Sequence, residues 1–254
     1  MSPKPTAPLN YRERTYRHRV HASGMASFQV VCEETDLMIQ ADRVLAREAR
    51  ELVLTYRAQI SGYIQRFPAF GTTLQPWSDT DMAPAIVRRM MDASRSAGVG
   101  PMAAVAGAIA EAVGRALLSD SRQVVVENGG DLFVKRDGPV VAALFAGASP
   151  LSMRIGVRVA DAGHGLGICT SSGTVGHSLS RGVADAVCVI SPNSALADAT
   201  ATAIGNRIQT PADIQGAIEA GRQVGDILGI VIVVGERMGA WGALELVPLD
   251  RKKG

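Results

Sequence analysis

Three short segments carry side chains whose types and spacing suit chemistry on a ligand. In Asp198-Ala199-Thr200-Ala201-Thr202 a carboxylate and a hydroxyl stand four residues apart. On a helix this spacing puts Asp198 and Thr202 on one face, with oxygens close enough to share a ligand. A carboxylate and a hydroxyl among alanines suit a hard, partly hydrated ion such as Mg2+. The plainer reading is an Asp favoured near a helix start, with a Thr bonded back to its own helix.

The second segment is Glu127-Asn128-Gly129-Gly130-Asp131. Asn-Gly or Gly-Gly between apolar runs is a strong hairpin signal. The glycines also allow a ligand to approach the backbone, and two flanking carboxylates are more than a plain turn requires. The third is Thr170-Ser171-Ser172-Gly173-Thr174, followed by Gly176, His177, Ser178 and Ser180. Hydroxyls and open backbone N–H groups are good donors to phosphate. An ordinary loop with a structural histidine has the same composition.

The elements that must position these segments are legible from periodicity. Residues 12–20 and 28–41 alternate as strands, the second turning near Glu33–Glu34. Leu45, Ala49, Leu52, Tyr56, Ile60, Tyr63 and Phe67 form one helical stripe, which Asp42 is placed to cap and Pro68 to stop. A second helix is expected over 81–96, opening at Asp79-Thr80. A third, over 101–118, is so rich in Ala and Gly that it must be deeply buried or lie against a ligand. Strands follow at 124–128, 131–135, 140–145, 153–160 and 186–190, then helices at 195–208 and 211–222. Residues 227–236 and 241–249 are expected to close the chain as a hairpin.

Composition narrows the class. The chain has 254 residues, 47% of them hydrophobic but only 4% aromatic, so its core is built from Ala, Val, Ile and Leu. A net charge of +2 argues against nucleic acid as partner. No apolar run approaches the ~20 residues of a membrane span, and the opening MSPKPTAPLN is unlike a signal peptide. Three widely spaced cysteines and no CxxC fit reduced thiols and a cytoplasmic location. Residues 1–10 read as a disordered tail, and 11–254 as one domain.

In their order along the chain, these segments resemble the ApbE superfamily, whose best-known members are FAD:protein FMN transferases. The resemblance rests on the small-residue helix at Ala104–Glu111 and the turn at Asn128–Asp131. It continues in Ser171–Gly173 with His177 downstream, and in Asp198 with Thr202. It implies an α+β fold with a mostly antiparallel central sheet flanked by helices, in which helices 101–118 and 195–208 pack together through small residues. It also implies Mg2+ held by Asp198, Thr202 and the backbone carbonyl of Ala104. Asn128, Gly129, Gly130, Asp131, Thr170, Ser171, Ser172 and Gly173 would bind FAD or a related nucleotide, and His177 would relay a proton. The implied reaction passes FMN to a Thr or Ser of an acceptor protein.

The chain departs from the family pattern in three places. Ala106 stands where the transferases have Lys, Glu111 where they have Asp, and no DPxTG run follows His177. A flavin- or nucleotide-binding protein without transferase activity is therefore the competing expectation, and a structural oligomer the third.

Overall fold

The computed structural model describes residues 24–78, 82–173 and 182–249. The expected tail, the strand at 12–20, the helix opening at Asp79-Thr80, and His177 lie outside the described residues. Alternation at the start of this range builds the expected hairpin. Strand β1 (Ala26–Cys32) pairs antiparallel with β2 (Thr35–Ala41) around Glu33–Glu34. Helix α1 (Ala46–Arg66) then buries Ala49, Ile60 and Tyr63 of the apolar stripe, with Val53 beside them.

Asp42 does not cap α1. The residue at the cap is Leu45, with no side-chain bond, because Asp42 lies too far upstream of the first turn. Its carboxylate accepts instead from the Arg122 N–H at 2.7 Å, while its own N–H donates to Ser121 Oγ at 2.9 Å.

Helix α2 (Ala85–Ala97) starts after Pro84 and stops at Gly98 in a left-handed conformation. The expected helix over 101–118 divides into a 3-10 turn, Pro101–Ala104, and α3 (Val105–Leu117). Strands β3 (Val124–Asn128), β4 (Asp131–Arg136), β5 (Val140–Ala143) and β6 (Ile155–Val159) follow close to expectation. Strand β7 (Ala162–Ser171) was not expected, because Gly163, Gly165 and Gly167 mask its β character. After it come β8 (Ala186–Ser191), α4 (Ser194–Gly205) and α5 (Ile214–Arg222). The chain ends in β9 (Gly229–Val234), β10 (Arg237–Gly242) and β11 (Glu245–Pro248).

Eight strands form one sheet in the order β1-β2-β3-β4-β7-β8-β9-β10, and every neighbouring pair is antiparallel. A smaller sheet, β11-β6-β5, lies apart from it. The segment 241–249 is therefore not one arm of a hairpin. Its start pairs with β9, Gly242 breaks it at a φ of 108°, and Glu245–Pro248 crosses to pair with β6.

Strand alternation gives the large sheet two buried faces. Val124, Val126, Phe133, Cys169, Val187 and Val189 join the helices in one core. Val125, Leu132, Val134, Ile168, Cys188 and Ile190 join β5 and β6 in the other. Helices α3 and α4 pack together on the first face, as their small residues predict.

Candidate functional site

The contact between α3 and α4 organises the site. A Cβ on Gly107 would lie 2.3 Å from the Ser194 carbonyl oxygen and 2.9 Å from the Asp198 Cβ, so only glycine fits. A Cβ on Gly167 would lie 2.4 Å from the Ser194 Cα, which explains a glycine in the middle of a central strand. The start of α4 is thus squeezed between α3 and β7. Glu111, buried in α3, fixes it further by accepting from the Ser194 N–H at 2.7 Å and from Arg115 Nε at 2.6 Å.

This approach gives Asp198 an unusual partner. The first N–H groups of a helix have no partner within it, and α3 has alanine at its cap and no side-chain cap bond. Asp198 supplies that cap from the neighbouring helix, accepting from the Gly107 N–H through Oδ2 at 2.9 Å. Burial nevertheless pushes its carboxyl well above the ordinary value, and the charge of Asp131 pushes the same way. The N–H groups of Gly107 and Ala106 oppose both. Thr202 follows one turn along α4, half-buried, and Ala104 lies buried where α3 begins.

The β3–β4 turn reaches the same place. Asn128 and Asp131 pair across it, with Gly129 at a φ of 74°. Asn128 Nδ2 donates to the Ala106 carbonyl at 3.1 Å, tying the turn to the start of α3. Asp131 pairs with Cys169 on β7, and the Cys169 thiol donates to the Ser194 carbonyl at 3.3 Å. Burial raises the Asp131 carboxyl to about 7; the Glu127 charge adds to this, while the Cys169 thiol and Thr170 N–H oppose it. Burial also pushes the Cys169 thiol well up, helped by the charges of Asp131 and Asp198.

The structure therefore brings Asn128, Asp131, Asp198 and the α3 start to one face of the sheet. It separates others. Glu127 pairs with Leu132, and Thr170 with Cys188, on the face toward the smaller sheet. The two carboxylates flanking the turn thus lie on opposite faces, and the Thr170 hydroxyl bonds with the Cys188 thiol. What Thr170 offers the helix side is backbone: its N–H donates to the Gly130 carbonyl at 3.2 Å. Ser171 closes β7 on the helix face, Ser172 follows, and the Gly173 N–H donates to the Ala184 carbonyl at 2.9 Å. Thr174 to Ser180 lie outside the described residues.

Cys169 and Ser194 belong to this site and did not stand out in the sequence. Their signal was the register of β7, which required β7 to be read as a strand. Among the described residues no group of three or more His, Cys, Asp or Glu is placed to hold a metal ion. An ion at this place would rest on one or two carboxylates with hydroxyl and backbone oxygens.

Solved structures share this architecture. The chain matches the apo crystal structure of the Pseudomonas stutzeri flavinyl transferase ApbE with a TM-score of 0.58 at 13% identity, covering 86% of this chain and 94% of that one. It matches the flavin transferase ApbE of Vibrio cholerae with a TM-score of 0.55 at 14% identity, covering 86% and 97%. At such identities the likeness shows the fold, and this is an α+β protein of the ApbE type. A family model described as AbpE bacteria matches residues 17–235, and the chain belongs to that family. It is 38% identical over 234 residues to a UPF0280 protein of Methanosarcina barkeri, covering 89% of this chain and 92% of that one. It is 42% identical over 210 residues to the UPF0280 protein of Methanococcus aeolicus, covering 80% and 85%.

Proposed function

We propose that this chain binds a flavin nucleotide, FAD foremost, together with Mg2+. The observation that carries the reading is the buried Asp198 at the start of α3, with the glycine turn of residues 128–131 tied to the same place. The donors fit the ion: a carboxylate, a hydroxyl and a backbone carbonyl are the hard oxygens Mg2+ selects, and it usually completes its shell with water and substrate phosphate. In this reading Asp198, Thr202 and the Ala104 carbonyl hold it. When bound, Mg2+ neutralises charge on the nucleotide phosphates.

The chain's own residues then bind and orient. Gly129 and Gly130 let the phosphates approach the backbone, and Asn128 and Asp131 border them. Ser171, Ser172 and Gly173, with the Thr170 backbone, supply donors beside them. The three cysteines, free and buried, fit a reducing cytoplasm.

Transfer of FMN is the second reading, favoured by the fold shared with the ApbE flavin transferases. In it a Thr or Ser hydroxyl of an acceptor protein attacks the FMN phosphorus, the pyrophosphate bond breaks, AMP leaves, and His177 takes the hydroxyl proton. Ala106 in place of Lys and the missing DPxTG run weigh against efficient transfer. Titration with FAD, FMN and ADP, with and without Mg2+, tests the binding. Tighter FAD binding with Mg2+ is expected, and no binding of any nucleotide would refute it. Mass spectrometry of a Thr-containing acceptor peptide then decides the second reading, since a mass gain equal to FMN establishes transfer.

A further inference from the structure

Far from the α3–α4 contact, the large sheet has an open edge. Among the described residues β1 is its end strand and pairs only with β2. The two-residue connection Glu33–Glu34 makes Cys32 and Thr35 a hydrogen-bonded pair, and bonded and unbonded pairs alternate along an antiparallel ladder. The N–H and C=O groups of Val31, Gln29 and Ser27 therefore point away from β2, toward the edge. The Val31 carbonyl bears this out, since it accepts from Arg50 Nη1 on α1 at 3.2 Å.

Proteins commonly blunt such an edge with a charge, a proline or a bulge. Strand β1 reads Ala-Ser-Phe-Gln-Val-Val-Cys and pairs with β2 residue for residue, so it carries none of these. Beside it, Arg50, Leu54 and Arg57 form one stripe of α1. Arg57 pairs with Glu33 and Glu34 at the hairpin tip. Leu54 lies between the two arginines and is 48% exposed, an apolar side chain left open next to unpaired backbone.

The chain itself holds a segment that fits. Gly24 stands at a φ of 93°, two residues before β1, and a reversal there turns the preceding residues back along the edge. Of residues 1–23, the stretch 12–20 alternates as a strand and is long enough to match the seven residues of β1. The family match begins at residue 17, inside this stretch.

We infer that residues 12–20 dock on the open edge of β1 as an antiparallel ninth strand, joined to it by residues 21–25. That connection sets Val20 against Ala26, His18 against Phe28, Tyr16 against Val30 and Arg14 against Cys32. Tyr16 and Val20, the apolar side chains of the stretch, then share the helix side with Phe28, Val30 and Leu54. Arg17 and Arg19 face the other way, opposite Gln29 and Ser27. They lie on the side of Asp36, whose carboxylate accepts from Gln29 Nε2 at 2.8 Å. A slip of one residue would exchange the two sets and turn both arginines toward the apolar side. The added strand also keeps two copies of the chain from pairing edge to edge.

Hydrogen exchange of the full chain, read at single amides, tests the docking. The outward N–H groups of Ser27, Gln29 and Val31 are expected to exchange about tenfold or more slowly than open amides, equally at low and high protein concentration. In the inferred register the N–H groups of Arg17 and Arg19 point at β1, while that of His18 points to solvent. Arg17→Pro and Arg19→Pro should therefore each restore fast exchange at Ser27 and Gln29, whereas His18→Pro should change little. The Val30 N–H, bonded within the hairpin, should stay slow in every variant and reports that the domain is folded. Fast exchange of Ser27 and Gln29 in the wild type overturns the inference. So does protection that appears only at high concentration, which gives the edge to a second copy. Protection kept in both Arg17→Pro and Arg19→Pro, or lost equally in His18→Pro, overturns it as well.

Discussion

The Gly107 N–H donates to Asp198 Oδ2 at 2.9 Å across 91 residues of sequence. One bond thus joins the open start of α3 to the carboxylate of α4. It exists because Gly107 has no side chain to hold the helices apart. Packing and candidate chemistry at this site therefore depend on one position.

Gly107→Ala should destabilise the protein by about 1–3 kcal/mol, since the added methyl meets backbone rather than a movable side chain. It should also weaken Mg2+-dependent FAD binding, by moving Asp198 from the α3 start. Gly216, on α5 with open space around it, is the matched control. Gly216→Ala should stabilise by roughly 0.5–1 kcal/mol, the usual helical preference. Urea unfolding of both variants checks the contrast.

Asp198→Ala should abolish the Mg2+ dependence of FAD binding rather than merely scale the affinity. The measurement is a FAD titration with and without Mg2+, and a retained Mg2+ effect would remove Asp198 from the ion site. The variant also strips α3 of its borrowed cap, so a loss of about 1 kcal/mol in stability is expected beside it.

Glu111→Ala should cost about 1–3 kcal/mol, because it leaves the Ser194 N–H without its acceptor in a buried place. Glu111→Gln keeps an acceptor oxygen and should lose less. Thermal melting of the two variants ranks them, and equal melting points would show that this bond does not hold α4.

Stability should fall in acid partly through Asp42. The Arg122 N–H holds its carboxyl below the ordinary value of 3.8. A depressed value in the folded state means stability that is present above 3.8 and lost as pH falls through the lower folded value. Asp42→Ala should therefore melt below the wild type near neutral pH, with the gap closing in strong acid. A gap that is constant across that range would refute the assignment.

Much of the fold was legible in the sequence. Apolar spacing placed α1, alternation placed β3 and β4, and the Ala/Gly content of α3 and α4 announced their contact. The Asn128–Asp131 turn and the Asp198–Thr202 spacing were equally visible, because both depend on residues a few positions apart. What periodicity could not reach was β7, where Gly163, Gly165 and Gly167, the last required by the closeness of Ser194, erase the strand signal. Nor could it separate Glu127 from Asp131.

The sequence by itself determined which residues carry oxygen, thiol or no side chain at all, and which local elements they occupy. Only the tertiary structure decided that Glu127 and Thr170 turn away while Asp131, Cys169 and Asp198 meet. The reason is register. A strand alternates its side chains between two faces, and the pairing of β4 with β7, which sets Asp131 against Cys169 although they are distant in sequence, chose which of each neighbouring pair would face the helices. Likewise, Asp198 caps a helix to which it is not adjacent in sequence, because two small-residue surfaces pack closely enough for a backbone N–H to reach it.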